Sequence, residues 1–239
     1  MIPLRDDIPA RRAPLVTWAI IAVNVIVFLH QIGLPEESEV LFVYLHGFVP
    51  ERYSDPAWGA AVGFPPDPLH RTLLTSTFLH GGWLHLLGNM WTLWIFGDNV
   101  EDRMGRIRFL LFYLACGLAA GLVHWFTSWH SQVPTVGASG AIAGVLGAYF
   151  LLFRHARVLV LFPIVFIPLF FEIPAVVFLV IWFALQLVQA WGALGMDGGG
   201  VAWWAHVGGF AAGITLHRLF LDRHPPDPIA RVIAVARRR

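Results

Sequence analysis

Residues 133–153 read VPTVGASGAIAGVLGAYFLLF, and how this stretch is taken decides the fold. Pro134 and Gly137 keep the chain from being helical ahead of Ser139, so a helix is expected to begin at the serine. Over 139–153 that helix is about 22 Å long at 1.5 Å per residue, whereas the hydrocarbon core of a bilayer is about 30 Å thick. With Arg154 at one lipid boundary, Ser139 sits roughly 8 Å below the other. A helix that starts inside a bilayer needs its entry loop in protein or in water. The stretch therefore implies a hydrated cavity around Ser139. Taken alone, it also fits an N-cap serine flanked by packing glycines.

The surrounding chain agrees with a membrane setting. Of its residues 57% are hydrophobic and 13% charged, against roughly 25% charged in a soluble domain. The net charge of +1 gives no basic field for nucleic acid. The lone Cys116 can form no intramolecular disulfide. The apolar stretch after Arg5, Arg11 and Arg12 is too long for a cleavable signal and has no small-residue cleavage site behind it.

Apolar runs at 15–32, 109–126, 174–191 and 201–221 approach the roughly 20 residues of a spanning helix. Two shorter runs, 83–96 and 139–153, lie between arginine-flanked loops, which gives six spans. The apolar segment 158–171 is excluded because Pro163 and Pro168 break a helix; an interfacial turn or hairpin is expected there. All basic residues are arginines, and with a cytoplasmic N-terminus every one but Arg52 and Arg71 falls inside, in accord with the positive-inside rule. The expected fold is an all-α membrane protein, a bundle of six transmembrane helices with a long amphipathic loop, about 33–79, between helices 1 and 2. Residues 1–14 form a cytoplasmic N-terminal segment, 15–221 the membrane domain, and 222–239 a basic cytoplasmic tail.

Polar side chains inside spans are costly and are functional candidates by default. His206, in Ala205-His206-Val207-Gly208-Gly209, lies about six residues past the glycines at 198–200, roughly 9 Å deep. Its helix and that of Ser139 run in the same direction, so the two side chains share a depth. Gly140, Gly144 and Gly147 give one helix a bare strip; Gly209 and Gly213 do so on the face of His206. Facing strips of this kind let membrane helices approach closely and would bring imidazole to hydroxyl. His85 and Asn89, at i and i+4, share a face in the outer third of another helix of the same direction. Donors there suit a developing oxyanion, although interhelical hydrogen bonding would explain them as well. His80 lies nearer the surface. Asn24, His124, Gln186 and Gln189 are isolated and read as structural, and Arg71 and Glu101 as loop anchors. Trp83, Trp203 and Trp204 fit an interfacial aromatic belt.

This set allows acyl transfer. Ser139 would be the nucleophile and His206 the general base that later protonates the leaving amine. His85, Asn89 and the Ser139 backbone N–H would form the oxyanion hole. No buried acid near His206 is apparent, so a two-residue dyad is expected, with no metal and no cofactor.

Three stretches together closely resemble the rhomboid family of intramembrane proteases: His80-Gly-Gly-Trp-Leu-His85-Leu-Leu-Gly-Asn89, Gly137-Ala-Ser139-Gly140 and Ala205-His206-Val-Gly-Gly209-Phe-Ala-Ala-Gly213. The segments from Arg71 to His80 and from Glu101 to Gly105 add to the likeness, which covers most of 14–221. The resemblance implies the Ser139–His206 dyad, oxyanion contacts from His85, Asn89 and the Ser139 backbone, and cleavage of single-pass transmembrane proteins near the outer face. It implies a multi-pass protein of the cell (inner) membrane, both termini cytoplasmic, with its site open to the extracytoplasmic side and the lipid bilayer as its surroundings. Two departures stand out. Ala143 occupies the position four after the nucleophile where some members have a tyrosine stacked on the base, so Trp203 or Trp204 is left to hold the ring. His70 stands beside Arg71 where an aromatic residue is frequent.

Two other readings compete. A catalytically silent relative that binds membrane clients would be expected to lack Ser139 or His206. A metal transporter or metalloprotease using His80, His85 and His206 would need intramembrane carboxylates or a His-Glu-x-x-His motif, and the sequence has neither.

Overall fold

The computed structural model describes residues 1–164, 167–192 and 202–222. The glycines at 198–200, the start of the last apolar run at 201 and the tail from 223 onward lie outside the described residues.

Helices carry most of the chain: α1 is Leu15–Ile32, α2 Glu36–His46, α3 Pro50–Ser54, α4 Pro56–Ala61, α5 Thr72–Thr75, α6 Trp83–Met104, α7 Arg106–Thr127, α8 Ser139–Leu152, α9 Ala175–Gly192 and α10 Trp203–Phe220. Helices α1, α7 and α9 are each long and apolar enough to cross a membrane, and α8 is a shorter apolar helix. The segment expected as a long amphipathic loop holds α2 to α5 and a 3-10 turn at Ser76–Phe78. Helix α6 runs on past Phe96 to Met104. The charges of Asp98, Glu101 and Asp102 end the apolar run there without ending the helix; Gly105, at φ 78°, ends it.

The all-α expectation is corrected by a small antiparallel sheet in the order β1-β2-β3, with β1 Ile2–Asp6, β2 Arg157–Ile164 and β3 Ile167–Pro174. Strands β2 and β3 form the hairpin expected at 158–171, paired from Arg157↔Pro174 to Ile164↔Ile167. Pro163 and Pro168 face each other across it, where a helix would have been broken twice. The N-terminal segment adds β1 to the free side of β2, with Pro3 opposite Val160.

Helix α8 is the centre of the molecule. Every residue from 140 to 149 is buried, including six small ones, Gly140, Ala141, Ala143, Gly144, Gly147 and Ala148. Small residues let the neighbouring backbones come close. A Cβ added to Gly209 of α10 would land on the carbonyl oxygen of Gly140, and one added to Gly213 on that of Gly144. Gly140 and Gly144 also lie against Ala120 and Cys116 of α7. The glycine strips expected to face each other do so.

Anchors outside α8 fix the other elements. Buried Glu101 of α6 accepts hydrogen bonds from the backbone N–H groups of Val16 (3.1 Å) and Thr17 (2.8 Å) and from the Thr17 hydroxyl (2.8 Å), which caps the start of α1. At the far end of α1, Gln31 donates to the carbonyl of His80 at 2.9 Å. In the 33–79 region, Asp67 accepts from the Tyr53 hydroxyl (2.7 Å) and from Arg71 Nε (3.0 Å). His70 fills the aromatic place, stacked on Tyr53 with ring centroids 4.7 Å apart.

Candidate active site

Ser139 opens α8, and the loop before it is tied down on three sides. Phe48 and Thr135 exchange two backbone hydrogen bonds, at 3.0 and 2.8 Å, and Gly137 N–H donates to the Ser76 carbonyl at 2.9 Å. The Thr135 hydroxyl lies 2.7 Å from His124 Nε2, so the isolated His124 serves this loop. Gly137 adopts φ 125°, a conformation open to glycine.

The glycine seam between α8 and α10 sets Ser139 beside His206. The hydroxyl oxygen is 2.8 Å from Nε2 of the imidazole. His206 is buried and Ser139 half-buried. A Cβ at Gly137 would come within 2.7 Å of His85 Cε1, 2.8 Å of His85 Nε2 and 3.6 Å of Asn89 Nδ2. Both α6 side chains thus flank the turn leading into Ser139. Asn89 Nδ2 is buried and has no hydrogen-bond partner among the described residues. A buried amide N–H left unpaired costs about 1–3 kcal/mol, so its donor is poised for an acceptor arriving from elsewhere.

Helices α6, α8 and α10 run parallel. His85 meets Gly137 near the start of one pair, and Phe96 packs edge-on against Tyr149 (4.9 Å) further along. Ser139, His206, His85 and Asn89 therefore meet at one end of the bundle, as the common depth of the sequence positions requires.

Two features of the site are not legible in the sequence. Gln186 of α9, read there as structural, has its Oε1 2.7 Å from His206 Nδ1. Trp182, one turn earlier, lies 6.2 Å from the same ring. Of the two tryptophans expected to hold the imidazole, Trp203 meets it edge-on at 5.8 Å; Trp204 buries its Nε1 without a hydrogen-bond partner among the described residues. His80 is fully buried in the protein. Its ring lies 5.1 Å from that of His85, neither of its nitrogens has a hydrogen-bond partner among the described residues, and burial pulls its pKa down to about 4. Among the described residues no group of three or more His, Cys, Asp or Glu side chains is disposed to hold a metal.

The sequence model of the Rhomboid domain matches residues 69–223, which include all of these site residues. The chain belongs to the rhomboid family. It is 31% identical over 152 residues to Rhomboid protein 1, mitochondrial, of Saccharomyces cerevisiae, a match covering 60% of this chain and 40% of that protein. It is 33% identical over 147 residues to the Putative rhomboid protease YdcA of Bacillus subtilis, covering 61% of this chain and 66% of that protein. Against the Rhomboid protease GluP of the same organism it is 46% identical over 76 residues, 32% of this chain and 14% of GluP. The matches thus span well under two thirds of the yeast protein and of GluP. The family is one of intramembrane proteases with some inactive members, and the apolar helices fit a membrane protein.

Proposed function

We propose that this rhomboid is an active serine endopeptidase that cleaves single-pass transmembrane proteins near the outer membrane face. The 2.8 Å approach of His206 Nε2 to Ser139 Oγ carries the reading. As the Oγ bonds to the scissile carbonyl carbon, its proton passes to Nε2; the imidazolium then gives that proton to the leaving amine. The carbonyl oxygen becomes an oxyanion held by Asn89 Nδ2, His85 and the Ser139 backbone N–H. Water then attacks the acyl-enzyme carbon with His206 again as base, releasing the second product and restoring the serine. No metal or cofactor takes part.

In this reading α1, α6, α7, α8, α9 and α10 make six crossings of the cell (inner) membrane. Both termini are cytoplasmic, and the Ser139 end opens to the extracytoplasmic side, as the arginine distribution favours. Partners are the bilayer and its transmembrane substrates.

Ser139→Ala and His206→Ala are each expected to abolish cleavage of a model transmembrane substrate while the protein keeps its fold by circular dichroism. A fluorophosphonate probe is expected to label Ser139 in the wild type, mapped by peptide. Cleavage by either variant at the wild-type rate, or labelling at another serine, would refute the dyad.

A further inference from the structure

A neutral imidazole carries one proton, and only the nitrogen without it can act as a base. For His206 to take the Ser139 proton at Nε2, the ring proton must sit on Nδ1. That N–H needs an acceptor, because the ring is buried. The Oε1 of Gln186 lies 2.7 Å from it.

The orientation of the Gln186 amide is fixed by its other end. Its Nε2 lies 3.4 Å from the Trp182 carbonyl oxygen, to which it donates. Turning the amide over would set two oxygens against each other at Trp182 and point the NH₂ group at Nδ1. The imidazole proton would then have to move to Nε2, and the base would be lost. The observed arrangement therefore selects the working tautomer. Gln186 is itself buried. The side chain at position 143 cannot share this task, because Ala143 has no ring to lay on the imidazole.

We infer that Gln186 is the positioning residue for His206: its amide oxygen holds the Nδ1 proton and the ring plane in place, so the base is set only while α9 is seated against α10. The inference rests on the Ser139–His206 reading. Gln186 receives no proton at any step. When Nε2 takes the serine proton, Nδ1 keeps its own and its bond to Oε1, and the neutral amide dipole faces the resulting cation.

The test uses the full chain in detergent or liposomes with a transmembrane substrate and a fluorophosphonate probe. Gln186→Leu keeps bulk and removes the acceptor. It is expected to lower kcat by about 10–100-fold, the range for partners that orient ligating histidines through their second nitrogen, with KM unchanged. Gln186→Glu keeps the acceptor and adds a negative charge beside Nδ1–H, which favours the imidazolium. The acid limb of its pH–kcat/KM profile is expected to move to higher pH. Wild-type kcat in Gln186→Leu, or an unmoved acid limb in Gln186→Glu, overturns the inference. If Ser139 still reacts with the probe in the wild type, that failure is confined to Gln186 and leaves the dyad standing; if it does not react, the dyad itself has failed.

Discussion

Helix α10 meets its two partners in different ways. Against α8 the contact is main chain on main chain: Gly209 and Gly213 leave no room for a Cβ above the carbonyls of Gly140 and Gly144. Against α9 it is side chain on side chain, with Phe183 stacked on Phe210 at 4.5 Å and Gln186 bonded to His206. Helix α9 also leaves Val188 and Trp191 largely exposed, at 70% and 74%. A backbone contact has no rotamers to change, whereas a side-chain contact can loosen through a few torsions. The first kind sets how far the serine is from the imidazole. The second sets which way the imidazole faces.

The comparison breaks most directly at the seam. Gly209→Val places branched carbons where only a carbonyl oxygen fits, and the obstacle is backbone that cannot rotate aside. Overpacking of this kind costs about 1–3 kcal/mol and occasionally more. Gly209→Val is expected to lose all cleavage and to lower the thermal midpoint. A Gly209→Val protein that cleaves at the wild-type rate would show that the α8–α10 spacing is not fixed by main chain.

A second substitution leaves both contacts of α10 untouched. Asn89→Ala removes one donor from the Ser139 end, and other donors remain. Its kcat is expected to fall by about 100-fold or less with no drop in midpoint, which separates chemistry from packing. An unchanged rate would remove Asn89 from the site.

The smallest expected effect concerns a third kind of contact on α8, one that a proton controls. Asp6 of β1 accepts from the Tyr149 hydroxyl at 2.5 Å and from Asn99 Nδ2 at 2.8 Å, tying the N-terminal strand to α8 and α6. Burial raises its pKa from 3.8 to about 6, against the lowering effect of the Tyr149 bond. A raised folded-state pKa means the stabilisation is fully present below pH 3.8 and is lost as the pH rises through about 6. Asp6→Asn keeps the acceptor without the titration. The wild-type midpoint is therefore expected to fall relative to Asp6→Asn as the pH goes from 4 to 7, in thermal scans at matched salt. Parallel curves would show that Asp6 does not titrate in this range.

What the sequence disclosed and what it hid follow from how each contact is encoded. Ser139 and His206 were legible because a polar group in an apolar helix needs a reason to be there, and the glycines at three- and four-residue spacing told which faces meet. The hairpin at 158–171 was legible because two prolines forbid the helix its hydrophobicity suggests. Strand β1 was hidden, since its pairing is made with β2, more than 150 residues away, and its polar residues look like an ordinary flank. The continuation of α6 was hidden because hydrophobicity, not helicity, stops at Phe96. Gln186 was hidden because its role depends on which face of α9 meets α10, and a single glutamine in an apolar run carries no spacing that reports it.

The hydrogen bonds around Glu101 bear on how this rhomboid could be dissected. The family match begins at residue 69, beyond α1, yet the carboxylate of Glu101 finds its donors in α1, at Val16 and Thr17. Cutting the chain at 69 would take away the donors of this carboxylate together with the helix that packs on it. The segment that bears the chemistry is thus not a portable cassette: it carries inside it a demand for the helix that precedes it.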